Sequence, residues 1–225
     1  AAAATGNPVN SSTDVPVYAW AVVALLACVP FLPALNGPFV FDDHLMLRLP
    51  EVARADAWPR LFSLTETRPL TMFSFWANSR FSPADPRAWH NVNLILHALN
   101  SLLVLLALRT WISGRTAWIA AALFAVHPLQ VEPVAYIFAR STLLAATFCL
   151  AALCMWGRGR RWWSVALFAL GMLAKEECAA FPLMLGLLHW AGKRDPAERR
   201  PIAAMLAIAL VAGLRVLYAT SVVKG

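Results

Sequence analysis

The sequence predicts an all-α polytopic membrane protein of about seven transmembrane helices, with a large extracytoplasmic loop after the first helix. Three observations carry this prediction. The 225 residues are 60% apolar and only 14% charged, whereas about a quarter of the residues in a soluble domain are charged. The apolar residues gather in runs long enough to cross a bilayer, and one long polar stretch separates the first run from the others. The composition also excludes disordered chains and disulfide-stapled secreted scaffolds.

The first apolar run, Val15–Leu35, contains 21 residues without a charge, which corresponds to roughly 31 Å of helix. No Lys or Arg precedes Arg48, so the run lacks the basic start of a signal peptide. Pro30 and Pro33 are expected to kink or end the helix. We therefore assign residues 1–16 to an N-terminal tail and 17–35 to the first transmembrane helix.

The next segment, residues 36–88, is predicted to be a loop domain with short helices. It contains six Arg and six Asp or Glu residues, and that number of charges is too costly for a segment inside a bilayer.

Residues 89–221 are predicted to form a bundle of about six spans. Two of the apolar segments contain polar breaks, one at His127-Pro128 and one at Lys175-Glu176-Glu177. The predicted spans are Trp89–Leu108, Ala117–Val134, Ser141–Trp156, Trp162–Ala174, Ala179–Ala191 and Ile202–Ala219.

The distribution of charge predicts the orientation. Three short turns, Arg109–Arg115, Gly157–Arg161 and Gly192–Arg200, hold nine of the 19 basic residues and two of the 12 acidic ones. The positive-inside rule assigns these turns and the N-terminus to the cytoplasm and the loop domain to the periplasm. The net charge of +7 thus describes orientation, and no nucleic-acid partner is expected. Sixteen Arg against three Lys suggests a bacterium, and therefore the bacterial inner membrane.

Ionisable residues near the two breaks are predicted to lie below the membrane surface. Trp162–Ala174 extends only about 20 Å, so Lys175 and Glu176 follow at a depth where charge is costly. Glu132 and Arg140 follow the His127 break. Two interpretations are open. The charges either neutralise one another and hold helices together, or they surround a substrate cavity, as broken spans do in transporters.

A polar stripe marks the second span, because His90, Asn93, His97 and Asn100 share one helix face. Such residues often form hydrogen bonds between membrane helices; alternatively, the stripe is one wall of the cavity. A metal site is not expected, since no two His residues stand four apart in the stripe and no Cys joins them.

Two positions in the loop domain carry side chains that could take part in catalysis or ligand binding. Asp42 and Asp43 follow the first span directly, and carboxylates there could deprotonate a hydroxyl or bind a divalent cation. Arg68 could bind phosphate through its guanidinium fork, or could pair with Glu66 or a lipid headgroup.

The ordered motifs of the chain resemble a known family. They are Phe41–Asp43, Arg68–Leu70, the His90-Asn93-His97 series, Leu123–Glu132, Ala139–Ala145, and Lys175-Glu176 before Pro182. This series resembles the membrane domain of the transmembrane-and-tetratricopeptide-repeat O-mannosyltransferases and their bacterial relatives, which share the type C glycosyltransferase fold. The resemblance extends from about Ala19 to Trp190 and is most specific between His127 and Arg140.

The resemblance implies an enzyme that takes a sugar from a polyprenyl-phosphate carrier and transfers it to Ser or Thr hydroxyls of an acceptor protein outside the cytoplasm. Asp42 then matches the catalytic base, and Asp43 supports it or binds a divalent cation. The residues matching the donor-phosphate side are Arg68, His127, Arg140 and Lys175. Those expected to line the cavity are His90, Asn93, His97, Glu132 and Glu176.

The chain differs from that family in length, because its relatives have more spans and a C-terminal repeat array. A truncated, non-catalytic subunit of a larger membrane complex is therefore the alternative function. An ion-coupled transporter fits less well, because the sequence contains no internal repeat of the kind such proteins use.

Overall fold

The computed structural model describes residues 15–192 and 195–224, so most of the predicted tail, residues 1–14, lies outside the described residues. The described residues fold into α-helices and short 3-10 helices, without a strand. The α-helices are α1 (Val17–Cys28), α2 (Asp42–Arg48), α3 (Pro50–Ala53), α4 (Pro69–Phe81), α5 (Pro86–Leu108), α6 (Gly114–Val126), α7 (Val131–Ala135), α8 (Arg140–Gly157), α9 (Arg161–Ala174), α10 (Phe181–Ala191) and α11 (Pro196–Lys224).

Four helical segments of the described chain are long and apolar enough to cross a membrane. A fifth span results if α6 and the segment Pro128–Ala135, bent by 52° to each other, count as one. These are the helices of an integral membrane protein, and the all-α prediction is confirmed. The predicted count of seven is not confirmed. The 14 residues of α9 and the 11 residues of α10 are too short to cross a membrane individually.

The first span changes from an α-helix to a 3-10 helix near its prolines. α1 ends at Cys28, and the chain continues as a 3-10 helix over Val29–Asn36, with Pro33 inside it. Proline removes a backbone donor from the α-helical pattern, so the tighter helix continues the span without it.

Both predicted breaks are present, the first at His127-Pro128 and the second at Lys175-Glu176-Glu177. α6 ends at Val126, and His127 is extended with ψ 134° because the residue before a proline is disfavoured in the α conformation. α9 ends at Ala174, and Lys175 is extended with φ −159° and ψ 137°. A 3-10 helix, Glu176–Ala180, then leads into α10.

The loop domain packs on one end of the bundle. Its core contains Met46, Leu61 and Phe75, which belong to the same hydrophobic cluster as Trp89 at the start of α5 and Ile137 before α8. The segment between α3 and α4 includes a 3-10 helix over Ala55–Phe62. The loop domain therefore shares its hydrophobic core with the membrane helices, and this packing positions its polar residues beside the two breaks.

Candidate functional site

The neighbouring carboxylates at the start of α2 have different environments. Asp43 is fully buried, and its carboxylate accepts hydrogen bonds from the backbone N–H groups of Val40 at 3.0 Å and Phe138 at 2.9 Å. Burial raises the pKa of Asp43, and the two N–H bonds oppose that rise only partly. Asp43 therefore connects the loop domain to the segment before α8.

Asp42 is exposed and is held by a single side chain. The Tyr136 hydroxyl donates to Asp42 Oδ2 at 3.0 Å, and the Asp42 N–H group donates to the same hydroxyl oxygen at 3.3 Å. Partial burial and the adjacent Asp42 raise the pKa of the Tyr136 hydroxyl. The hydroxyl thus remains a donor, and an exposed carboxylate is held in one orientation.

Arg140 lies in the interior with no exposed surface. Its guanidinium donates to Asn93 Oδ1 at 2.9 Å, Asn78 Oδ1 at 3.0 Å, the Trp89 carbonyl at 3.1 Å and the Ser74 carbonyl at 3.3 Å. It also stacks over the rings of Phe75 and Trp89. Every one of these partners is uncharged, and this geometry fits a structural role better than the predicted contact with phosphate.

The polar stripe of α5 is likewise buried. Asn93 donates to the carbonyls of Pro133 at 3.2 Å and Tyr136 at 3.1 Å, and His97 Nε2 lies 2.9 Å from the Ala125 carbonyl. These carbonyls belong to helix ends around the first break. The stripe therefore follows the interhelical interpretation, in which side chains satisfy the backbone groups that the break leaves unpaired.

His90, at the start of the stripe, is 2% exposed, and neither ring nitrogen has a partner of good hydrogen-bond geometry. Its Nε2 atom would lie only 3.3 Å from a Cβ atom placed on Gly37. Glycine at position 37 thus permits the close approach of the loop backbone to the imidazole.

His127 and Glu132 lie on the surface around the first break. His127 Nδ1 accepts a hydrogen bond from the Leu129 N–H group at 3.2 Å and so caps the short 3-10 helix that follows. Both side chains are accessible, in contrast to the stripe.

Lys175 lies at the second break, with its side chain only 16% exposed. Its Nζ atom donates to Thr142 Oγ1 at 2.9 Å and forms an ion pair with Glu177 Oε1 at 3.0 Å. Thr142 is two residues beyond Arg140 on α8, so the second break is joined to the start of that helix.

Arg68 and Glu176 form a bidentate ion pair between the loop domain and the second break. The Nε–Oε2 distance is 3.0 Å and the Nη2–Oε1 distance is 2.6 Å. The hydrogen bond from Arg68 holds the pKa of Glu176 below its usual range, and Glu176 in turn raises the pKa of Arg68. Both side chains are partly exposed, at 31% and 44%.

A cavity of about 830 Å³ lies between α9 and α11. Its walls are apolar except at one end, where Thr67, Glu176 and Arg215 contribute to the lining. Arg215 donates from Nη2 to the carbonyls of Ser63 at 2.8 Å and Glu66. Of the predicted site residues, only Glu176 lines this cavity.

The predicted residues thus separate into buried and accessible groups. Asp43, His90, Asn93, His97 and Arg140 are buried. The accessible or partly accessible ones are Asp42, Arg68, His127, Glu132, Lys175 and Glu176. Within residues 15–192 and 195–224, no three His, Cys, Asp or Glu side chains are grouped closely enough to hold a metal ion. A role for a divalent cation stays a prediction.

Sequence reasoning missed three residues of this region. Tyr136 gave no signal, since a tyrosine near a membrane face is ordinary. Thr142 lies within an apolar helix and is equally inconspicuous. Arg215 did offer a signal, because it is the only charged residue of the last predicted span, Ile202–Ala219.

Comparison with known proteins identifies several relatives. The chain is 32% identical to protein O-mannosyl-transferase F38B6.6 of Caenorhabditis elegans over 177 residues, which are 69% of this chain and 26% of the relative. It is 32% identical to protein O-mannosyl-transferase Tmtc2 of Drosophila melanogaster over 217 residues, 80% of this chain and 23% of the relative. It is 34% identical to protein O-mannosyl-transferase TMTC3 of Mus musculus over 128 residues, 51% and 14% of the two chains.

The matched region spans about a quarter or less of the length of these relatives. No protein-family model matches the chain, and no solved structure matches it significantly.

Proposed function

The chain belongs to the TMTC family of protein O-mannosyl-transferases, and on this premise we propose that it transfers a sugar from a polyprenyl-phosphate carrier to a protein hydroxyl. The observation that carries the proposal is the contrast between Asp42 and Asp43. Asp43 is buried and bonded to two backbone groups, whereas Asp42 is exposed and oriented by Tyr136. An oriented, accessible carboxylate at the membrane face is what a general base for an acceptor hydroxyl requires.

In the proposed reaction Asp42 removes the proton from a Ser or Thr hydroxyl of the acceptor. The hydroxyl oxygen attacks the anomeric carbon of the sugar from the face opposite the phosphate. The bond from that carbon to the phosphate oxygen breaks as the new glycosidic bond forms, so the configuration inverts. The electron pair leaves with the phosphate, and nearby cations would stabilise its charge.

Lys175 and Arg68 are the cations we assign to the phosphate. Lys175 lies at the second break and Arg68 of the loop domain pairs with Glu176 there, and both cations are partly exposed. Each is now paired with a glutamate, Lys175 with Glu177 and Arg68 with Glu176, so binding of phosphate requires exchange of these carboxylates. Arg140 is assigned a positioning role instead, because its buried guanidinium donates only to protein groups. His127, accessible at the first break, remains a candidate for the donor side.

The cavity between α9 and α11 supports a donor carried on a lipid. It is apolar along its length and has Glu176 at its polar end, beside the Arg68 guanidinium. An isoprenoid chain could occupy the apolar part while its phosphate lies near the second break.

The proposal includes an orientation and a location. The loop domain, residues 36–88, faces the side opposite the basic turns, which is the periplasmic side of a bacterial inner membrane. The acceptor protein approaches from that side, and other subunits of a membrane complex are further candidate partners.

Transfer by the full-length protein in membrane vesicles tests the proposal, with polyprenyl-phosphate mannose as donor and a Ser/Thr peptide as acceptor. Asp42→Asn should lower the rate by about 10²–10⁴-fold. Asp56→Asn is the matched control, because Asp56 is also an exposed loop carboxylate, paired with Arg54 at 2.9 Å. Equal rates for wild type and Asp42→Asn would exclude Asp42 as the base. No transfer by the wild type with any lipid-linked sugar, together with stable co-purification of other membrane chains, would favour the alternative, a non-catalytic subunit.

A further inference from the structure

Tyr136 and Asp42 are joined by two hydrogen bonds, more than packing at a protein surface requires. The hydroxyl is both a donor to the Asp42 carboxylate and an acceptor of the Asp42 N–H group, at 3.0 and 3.3 Å. The two residues are 94 positions apart in the chain. Of the two carboxylate oxygens, Oδ2 accepts the bond from the hydroxyl, and no described residue bonds to Oδ1. One carboxylate oxygen is therefore fixed and the other remains open.

The backbone of Tyr136 is itself held firmly. Its carbonyl accepts a hydrogen bond from Asn93 at 3.1 Å, and its N–H group donates to the Glu132 carbonyl at 3.0 Å. Two residues later, the Phe138 N–H group donates to Asp43. Tyr136 thus binds Asp42 through its side chain, and Phe138 binds the adjacent Asp43 through its backbone.

The residue before the aspartates is strained. Phe41 has φ 47° and ψ −119°, a conformation that favours glycine and is costly for an aromatic residue. Its ring meets that of Tyr136 edge-on, with centroids 6.3 Å apart. Strain of this kind persists only where the surroundings over-determine it, and here the Tyr136 ring and the Asp43 bonds together hold the turn that presents Asp42.

We infer that Tyr136 is a positioning residue, which orients the Asp42 carboxylate so that Oδ1 meets the acceptor hydroxyl. This inference rests on the proposed function, because it assigns Tyr136 a part in the reaction that Asp42 performs. A purely structural tyrosine would instead only cover the first break, and its loss would act on folding without depending on Asp42.

The Tyr136→Phe variant of the full-length protein tests the assignment, since it removes the hydroxyl and keeps the ring. We expect kcat for sugar transfer to fall about tenfold, in line with the loss of one hydrogen bond to a charged group, while the KM for polyprenyl-phosphate mannose stays unchanged. The chain has three tyrosines, and the others are exposed on α1 and α11. Tyr18→Phe and Tyr218→Phe are therefore the matched controls and should leave both constants unaltered. An unchanged kcat for Tyr136→Phe, or a change confined to KM, would overturn the inference.

A double-mutant cycle separates positioning from structure. If Tyr136 acts through Asp42, adding Tyr136→Phe to Asp42→Asn should cost less than twofold in kcat beyond the single Asp42→Asn variant. A full tenfold loss on that background would mean that the hydroxyl acts independently of Asp42, and the inference fails while the proposed function stands. Full activity of Asp42→Asn would instead remove the proposed function itself.

Discussion

Two sets of polar residues differ in what their charges contact. In the Arg140 network, made of Arg140, Asn93, Asn78 and the Trp89 and Ser74 carbonyls, one buried cation is surrounded by neutral acceptors. In the polar rim, made of Asp42, Tyr136, Arg68, Glu176, Lys175 and Glu177, charges are partly exposed and mostly paired with opposite charges.

Ionisable residues near the membrane breaks thus divide into those that bond only to buried protein groups and those that are accessible from outside. The Arg140 network has no exposed group to offer, and its hydrogen bonds join α4, α5 and α8. The polar rim joins elements more weakly, because its ion pairs are in reach of water and can exchange partners. We therefore expect substitutions in the Arg140 network to lower stability and substitutions in the polar rim to lower transfer activity.

Removal of the Arg140 side chain should give the largest loss of stability. Arg140→Met keeps the length and apolar stem but leaves the side-chain oxygens of Asn93 and Asn78 without their donor. At about 1–3 kcal/mol for each unsatisfied buried group, the loss should reach about 3 kcal/mol or more, a fall in Tm of roughly 6–12 °C. Thermal unfolding of the detergent-solubilised protein measures this. Arg48→Met, at an exposed arginine of α2, is the control, and an equal change in both variants would refute the contrast.

The paired aspartates should separate stability from activity. Asp43→Asn replaces one acceptor oxygen by a donor, so one of the bonds from Val40 and Phe138 is lost, at about 1–3 kcal/mol. Asp42→Asn keeps an oxygen that can accept from Tyr136, and its Tm should stay within about 2 °C of the wild type. Unfolding and sugar-transfer assays on the same preparations compare the two. A Tm for Asp42→Asn as low as that of Asp43→Asn would contradict the assignment.

The Arg68–Glu176 ion pair of the polar rim should contribute less to stability than the Arg140 network. Glu176→Gln removes the partner of Arg68, but both side chains are partly exposed, so the expected cost is at most about 1 kcal/mol. Raising the salt concentration should shrink the difference between wild type and Glu176→Gln, because screening weakens exposed charges. The difference between wild type and Arg140→Met should not respond to salt. A loss above about 2 kcal/mol for Glu176→Gln would instead show a tightly fixed pair.

Acidification should change the stability contributions of Asp43 and Glu176 in opposite directions. This is the smallest expected effect. The folded state raises the pKa of Asp43, so its contribution to stability is fully present below the unfolded pKa and is lost as pH rises through the folded one. The folded state lowers the pKa of Glu176, so its contribution is present above the unfolded pKa and is lost as pH falls through the folded one.

Tm measured between pH 3 and 7 tests these signs. Asp43→Asn should make the fall of Tm on acidification steeper, because the opposing contribution of Asp43 is gone. Glu176→Gln should make it shallower. The same change of slope in both variants would show that one of the two assignments has the wrong sign.

Much of the fold could be predicted because its determinants are local. A proline after His127 and three charges after Ala174 each interrupt an apolar run, and the helices end at these positions. The number of spans could not be predicted equally well. The prediction counts the apolar runs Trp162–Ala174 and Ala179–Ala191 as separate spans, yet α9 and α10 are too short to cross the membrane individually.

The site was less accessible to sequence reasoning because burial depends on distant parts of the chain. Asp42 and Asp43 are identical in type and adjacent, yet one is exposed and the other is bonded to Phe138, 95 positions away. Arg140 was expected at depth, but that its donors meet only neutral oxygens depends on α4 and α5. Tyr136 is recognisable only once its hydroxyl is seen beside Asp42.

The helix breaks described above also determine which parts of the molecule can move. The Ala174 carbonyl, free because α9 ends there, accepts a hydrogen bond from Thr71 Oγ1 of the loop domain at 2.9 Å, and Asn93 bonds the carbonyls around the first break. Each break is thus a point of attachment, the first to α5 and the second to the loop domain. α11 is the least buried of the four spans, with 17% of its most apolar 18-residue stretch buried, against 39% for α5. We therefore expect any widening of the cavity to admit a bulky chain to come from movement of α11 relative to α9.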